Sequence, residues 1–210
     1  MLQISIVPVT EYQQNCSIVY DDQTMAAVVV DPGGEVEKIA AAVNELKVSV
    51  EAVWLTHGHL DHAGGAEAAK QEFDVQIIGP HQADKMLLDN IELTASGYGL
   101  SGVFNATPDR WLEEGETLSV GEHDFEVRHC PGHAPGHVVY INHANKFILM
   151  GDVLFQGSIG RTDLPGGNHQ ELLDSIAQKL MTLDDDYQFV CGHTPPSTIG
   201  AERKTNPFLQ

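Results

Sequence analysis

The segment Thr56-His57-Gly58-His59-Leu60-Asp61-His62 limits this chain more than any other stretch of it. Three histidines and an aspartate fall between positions 57 and 62, directly after the strand-like run Val50 to Thr56. His57 and His59 are two apart, so in extended backbone they point to the same side. Asp61 and His62 then open a helix expected over 63–73, and the turn from strand to helix lets two more side chains converge on one small volume. Gly58, Gly64 and Gly65 give the backbone freedom for that turn. Imidazole and carboxylate are ligands for zinc, iron and manganese.

The same pattern recurs three times. Pro131-Gly132-His133, Met150-Gly151-Asp152 and Cys191-Gly192-His193 each follow a strand-like run. Each is a buried strand, then glycine, then a ligand-type residue. Strand ends gather at one rim of a packed pair of sheets, which is where a site can be assembled. Asp152 alone reads as a turn residue and His193 alone as a core histidine; their repetition in register with the first motif argues for a shared metal site.

The rest of the chain reads as mixed α and β structure. Strands are expected at 2–9, 15–20, 24–30, 75–78, 117–120, 123–129, 137–142, 146–150 and 188–191. Helices are expected at 35–47, 81–88 and 170–181. Residues 91–111 show little periodicity, and a connection of that length is uncommon unless it is functional or mobile. With no repeat or linker, 1–210 is expected to be a single domain. Strands in two batches, each interleaved with helices, suggest an α+β fold: a four-layer αββα sandwich.

Charge excludes one class of substrate. Thirty acidic residues against 11 Lys and Arg give a net charge of −19, and no basic cluster is present to displace counterions from phosphates. Nucleic acid is therefore not an expected partner. No apolar run approaches the roughly 20 residues of a membrane helix, and the N-terminal stretch lacks the pattern of a secretory signal, so no membrane partner and a cytoplasmic location are the expectations. Cys16, Cys130 and Cys191 are too few and too irregular for a disulfide framework. No helical stripe is left over for a partner, so a monomer is expected.

Thr56 to His62, with His133, Asp152 and His193, resembles the metallo-β-lactamase superfamily in order and spacing, from the Asp31-Pro32-Gly33 turn to the final Gly192-His193. The resemblance implies that His57, His59 and His133 bind a first metal, that Asp61, His62 and His193 bind a second, and that Asp152 bridges both. Asp31 matches a family aspartate that supports the site without touching metal. Two divalent ions, zinc foremost with iron or manganese open, are the implied cofactors. Such a pair, roughly 3.5–4 Å apart, shares a bridging water and lowers its pKa to about 7; Asp61 is a candidate to take the proton from the attacking water.

Within the superfamily the chain is similar to the short glyoxalase II-like proteins, hydroxyacylglutathione hydrolases that cleave S-D-lactoylglutathione to D-lactate and glutathione. The implied partner is thus a small glutathione thioester. Larger glyoxalase II enzymes add a C-terminal helical domain, whereas this sequence ends soon after His193. They also carry a lysine and, two positions on, a tyrosine where this chain has Arg161 and Asp163. Arg161 keeps the positive charge and is a candidate to grip a substrate carboxylate, or is simply paired to Asp163. The loop around Tyr98 and Phe104 is a candidate cover for the substrate.

Persulfide dioxygenases are the nearest alternative. They share the fold and the run Gly160-Arg161-Thr162-Asp163, but use one iron held by two histidines and an aspartate. Another metal-dependent ester or lactone hydrolase also stays open. A β-lactamase with a cysteine ligand is disfavoured by His62 and Asp152, and a flavodiiron arrangement by His59. A non-catalytic module would be expected to have lost ligands. His81, His123, His129, His137, His143 and His169 lie outside the pattern; His137, four residues after His133, is the one nearest to a motif.

Overall fold

The computed structural model describes residues 1–210. In the first sheet β1 (Leu2–Val9), β2 (Gln14–Asp21), β3 (Ala26–Val30), β4 (Ser49–Trp54) and β5 (Gln76–Ile78) lie in that spatial order. β1 to β3 run antiparallel, and β3 to β5 run parallel. Parallel neighbours need a crossover; α1 (Val36–Leu46) provides the first, and α2 (Leu60–Ala63) with α3 (Ala66–Phe73) the second. After β5 come a tight turn at Gln82–Asp84, α4 (Lys85–Leu88) and α5 (Ile91–Gly97).

The second sheet holds β6 (Thr117–Val120), β7 (His123–His129), β8 (Val138–Asn142) and β9 (Phe147–Gly151) as an antiparallel meander. β10 (Leu154–Phe155) and β11 (Ser158–Ile159) make a separate hairpin. α6 (His169–Ser175) follows and continues as a wider turn over Ile176–Leu180. β12 (Gln188–Cys191) returns parallel to β9, and β13 (Ser197–Thr198) leads into α7 (Ile199–Thr205).

Side-chain alternation decides the layers. In β3, Val28 and Val30 face the second sheet while Ala27 and Val29 face α1. In β8, Val138 and Tyr140 face inward while Val139 and Ile141 pack under α6 and α7. Both strands are apolar on both faces, which is why they read as continuous hydrophobic runs. Trp54 of β4 meets Phe125 edge-on at 5.5 Å between the sheets. Burying a side chain such as Phe125 stabilises by roughly 1.5–3 kcal/mol. The Tyr140 hydroxyl donates to the carbonyl of Leu55 at 2.6 Å, tying the sheets where the histidine motif begins. Helices on sheet, sheet, helices is the four-layer αββα sandwich expected from the sequence.

Some elements differ from the sequence reading. The helix expected over 63–73 is two pieces broken at Gly64-Gly65, where the chain presses on the Asp31-Pro32-Gly33 turn; the Gly65 amide donates to the Pro32 carbonyl at 2.9 Å. The helix expected over 81–88 is a tight turn followed by α4. Within the connection 91–111, α5 forms but buries only Ile91 and Ala95, too narrow a stripe to register as periodicity. α7 is a further helix beyond those expected; its signal is the cap Thr198, whose hydroxyl accepts from the Ala201 amide at 3.1 Å.

Candidate metal centre

Four loops leave the strand ends at one rim of the sandwich, and the residues singled out in the sequence meet there. His57 and His59 follow β4, and Asp61 and His62 lie in α2. His133 lies between β7 and β8, Asp152 follows β9, and His193 follows β12. His57, His62, His133 and Asp152 are buried, whereas His59, Asp61 and His193 are partly open, so the site faces outward on one side.

Two donor sets result. In the first, Nε2 of His57 lies 3.3 Å from Nε2 of His133, and Nδ1 of His59 lies 2.9 Å from the same atom. In the second, Nε2 of His62 lies 3.4 Å from Nε2 of His193, and Oδ2 of Asp61 lies 3.2 Å from the His193 nitrogen. Asp152 stands between them. Its Oδ1 lies 3.3 Å from His62 Nε2, while Oδ2 lies 3.6 Å from His133 Nε2 and 3.3 Å from His193 Nε2.

The donor set fits divalent cations. Zinc–nitrogen bonds of about 2.0–2.1 Å in tetrahedral geometry hold ligand atoms roughly 3.3–3.4 Å apart, close to the spacings seen. Asp152 Oδ1 is buried with no hydrogen-bond partner, a costly state for a carboxylate unless a cation answers it. Burial, with the neighbouring imidazoles, pushes His57 well below the usual histidine range and His59 down to about 3, so each ring is neutral and keeps one nitrogen free of a proton, as a ligand must. In the second set burial opposes charge, but the carboxylates prevail. Asp152, Asp31 and Asp61 hold His62 well above its usual range, and Asp152 and Asp61 raise His193 to about 9. The second set, in short, calls for positive charge.

The supporting residues are as ordered as the donors. Asp31, left-handed at φ 53°, accepts from the Thr56 amide at 2.7 Å and the Thr56 hydroxyl at 2.6 Å. Its Oδ2 lies 2.9 Å from Nδ1 of His62, so it backs the ring rather than joining the donor set. The Nδ1 of His133 donates to the carbonyl of Arg161 at 2.8 Å. His137 is buried, stacks on His57 with ring centres 4.6 Å apart, and accepts from the Asp152 amide at 2.9 Å. Such partners fix ring orientation and ligand basicity. Asp31 and His137 were visible in the sequence; Thr56 and the Arg161 carbonyl were not, because a hydroxyl beside a motif and a backbone oxygen carry no signal of their own.

Arg161 presents Nε and Nη2 to the two oxygens of Asp163 at 2.7 and 2.8 Å, and both side chains are exposed. Beside the site a cleft of about 550 Å³ runs between the β1–β2 turn, the start of α1 and the 99–103 loop. Leu60, between His59 and Asp61, forms part of its wall. The loop anticipated as a cover contributes Gly99 to Val103 to this cleft, while Tyr98 and Phe104 are exposed outside its lining. No helix is long and apolar enough to cross a membrane.

The profile of the metallo-beta-lactamase superfamily matches residues 9–193. The hydroxyacylglutathione hydrolase GloC of Haemophilus influenzae is 46% identical over 209 residues, covering 99% of this chain and 98% of that protein. Among solved structures, the BLEG-1 B3 metallo-beta-lactamase superposes with a TM-score of 0.91 at 35% identity, covering 99% of this chain and all of that one. TTHA1623 in a di-iron-bound form gives a TM-score of 0.89 at 35% identity, covering 98% and 100%. The fold, the ligand-rich rim and these likenesses converge: the chain belongs to the metallo-beta-lactamase superfamily and is a metal-dependent hydrolase.

Proposed function

We propose that this protein is a dinuclear thioesterase that hydrolyses S-D-lactoylglutathione or a related glutathione thioester to D-lactate and glutathione. The observation that carries the reading is the position of Asp152 between two complete donor sets, one oxygen turned to His62 and the other to His133 and His193. His57, His59 and His133 would hold one metal, Asp61, His62 and His193 the other, with Asp152 shared. Bound there, divalent ions supply Lewis acidity and a nucleophilic water at neutral pH. Zinc is the metal proposed; the donor set also accepts iron, which TTHA1623 holds.

The chain's own residues do the rest. Asp61, part exposed beside His193, would accept the proton of the attacking water. A thioester needs little more, because its leaving thiolate has a conjugate-acid pKa of about 8.5 and departs without a strong general acid. The cleft beside Leu60 has room for the peptidic body of glutathione. Arg161 exchanges Asp163 for a substrate carboxylate at small cost, since an exposed pair is worth about 0–1 kcal/mol. The likeness to GloC over nearly the whole chain supports the same substrate class. With it go a role in methylglyoxal detoxification, a cytoplasmic setting, a single-domain chain and a monomeric enzyme.

The test is hydrolysis of S-D-lactoylglutathione by purified protein, after chelation and after zinc restoration. Turnover that disappears and returns with metal is expected. Fully metallated protein that releases no glutathione would sink the reading, and oxygen consumption with glutathione persulfide would put the one-iron oxidoreductase in its place.

A further inference from the structure

Asp84 is fully buried, yet no cationic side chain stands against it. Its only side-chain partners are two backbone amides. Oδ2 accepts from Gly58 at 2.8 Å, and Oδ1 accepts from Gly136 at 2.5 Å. Neither amide has a backbone acceptor. An unpaired buried carboxylate is among the most expensive groups to place inside a protein, so the two amides are what it serves.

Those amides belong to the two loops that build the first donor set. Gly58 lies between His57 and His59. Gly136 lies in the loop that starts from His133 and ends at His137, the ring stacked on His57. The segment carrying Asp84 presses on both loops. A Cβ on Gly58 would meet Leu87 at 2.9 Å, and one on Gly136 would meet the Asp84 amide nitrogen at 2.6 Å. The second set is braced differently. The Asn15 amide donates to the Gly192 carbonyl at 2.7 Å, and its side chain donates to the Cys191 carbonyl at 2.9 Å, drawing the His193 loop onto the first sheet.

We propose that Asp84 is the positioning residue of the first donor set: its carboxylate joins the His57–His59 loop to the His133–His137 loop and forms that half of the site before metal binds. The inference rests on the reading that His57, His59 and His133 hold one metal. It makes the two halves separable, the first depending on Asp84 and the second on Asn15.

Asp84→Asn keeps the volume but offers one acceptor oxygen where two amides need one each. Metal content after dialysis against limiting zinc is expected to fall from about two ions per chain to about one, with affinity at the first set weakened roughly 10–100-fold. Histidine ring NMR signals should show His62 and His193 still responding to zinc while His57, His59 and His133 do not. Both sites filled with affinity within about twofold of wild type would overturn the proposal. Hydrogen exchange on the metal-free wild-type protein gives a second reading that does not depend on the variant folding. Slow exchange at Gly58 and Gly136 is expected; rates like that of Gly102, whose Cβ position opens onto empty space, would refute it. Wild-type protein that takes up fewer than two ions would defeat the dinuclear reading instead, and the exchange rates would still decide the role of Asp84.

Discussion

The carboxylate of Asp31 lies 2.9 Å from Nδ1 of His62, on the opposite side of the ring from the Nε2 atom that faces Asp152. One aspartate thereby sets which nitrogen of His62 carries the proton and which is free to bind. The same carboxylate takes both donors of Thr56, so the strand end and the ring are fixed together. Asp31→Asn is the informative change, because asparagine tolerates the left-handed backbone at this position. It is expected to weaken zinc binding about 10–100-fold and to lower stability by about 1–3 kcal/mol through an unsatisfied buried donor. Zinc titration and denaturant unfolding would check the two effects separately; zinc affinity equal to wild type would show that Asp31 does not set the ring.

Metal removal should cost stability as well as activity. At free zinc a thousandfold above its dissociation constant, each site adds about 4 kcal/mol to the folded state. Calorimetry with and without chelator should therefore show a large drop in melting temperature that reverses with added zinc. A melting temperature indifferent to metal would mean that the donor sets do not bind it.

Gly192 sits where a side chain has no room. A Cβ there would overlap Oδ1 of Asp152 and come within 2.6 Å of Cε1 of His62. Gly192→Ala is expected to displace the shared carboxylate, abolish most turnover and lower metal content, even though it adds a single methyl group to a loop. Metal analysis alongside circular dichroism would tell loss of the site from loss of the fold.

Arg161→Ala removes a side chain paired only with exposed Asp163. Stability should change by less than about 1 kcal/mol. KM for the glutathione thioester should rise several-fold with kcat nearly constant, the pattern of lost ground-state binding. An unchanged KM would return Arg161 to a surface ion pair.

The thiols should be silent in the folded protein. Cys16, Cys130 and Cys191 are all buried and free, and burial pushes the Cys130 thiol up to about 12. Folded Cys130 thus keeps its proton past the pH at which an unfolded thiol loses it. It adds no pH dependence to stability below about 8.5 and destabilises the fold as pH rises from there. A disulfide-exchange reagent at pH 8 should label none of the three quickly, and all three after denaturation; fast labelling of Cys130 in the native state would contradict its burial.

Much of the centre is legible in the sequence. His57, His59, Asp61 and His62 follow one strand in one short segment, and His133, Asp152 and His193 each follow a strand and a glycine, so their convergence needs only that strand ends share a rim. The strand runs were equally plain, because strands buried on both faces leave unbroken apolar stretches. α5 and α7 were not plain, since each buries too few side chains to set a period. Asp84 was less visible still: in sequence it is one more acidic residue near a helix start, in a chain with 30 of them.

The sequence by itself determined the inventory of histidines and aspartates gathered at the rim, the order of the strands that carry it and an excess of acid that argues against nucleic acid. Local spacing and composition are sufficient for those. Tertiary structure alone decided which nitrogen of each histidine faces inward, that Asp152 reaches both donor sets, that Asp163 holds Arg161, and that Asp84 and Asn15 brace separate halves of the site. Those are contacts between residues as far apart in sequence as Asn15 and Gly192, and they exist only once two sheets have packed and closed their loops over a common rim.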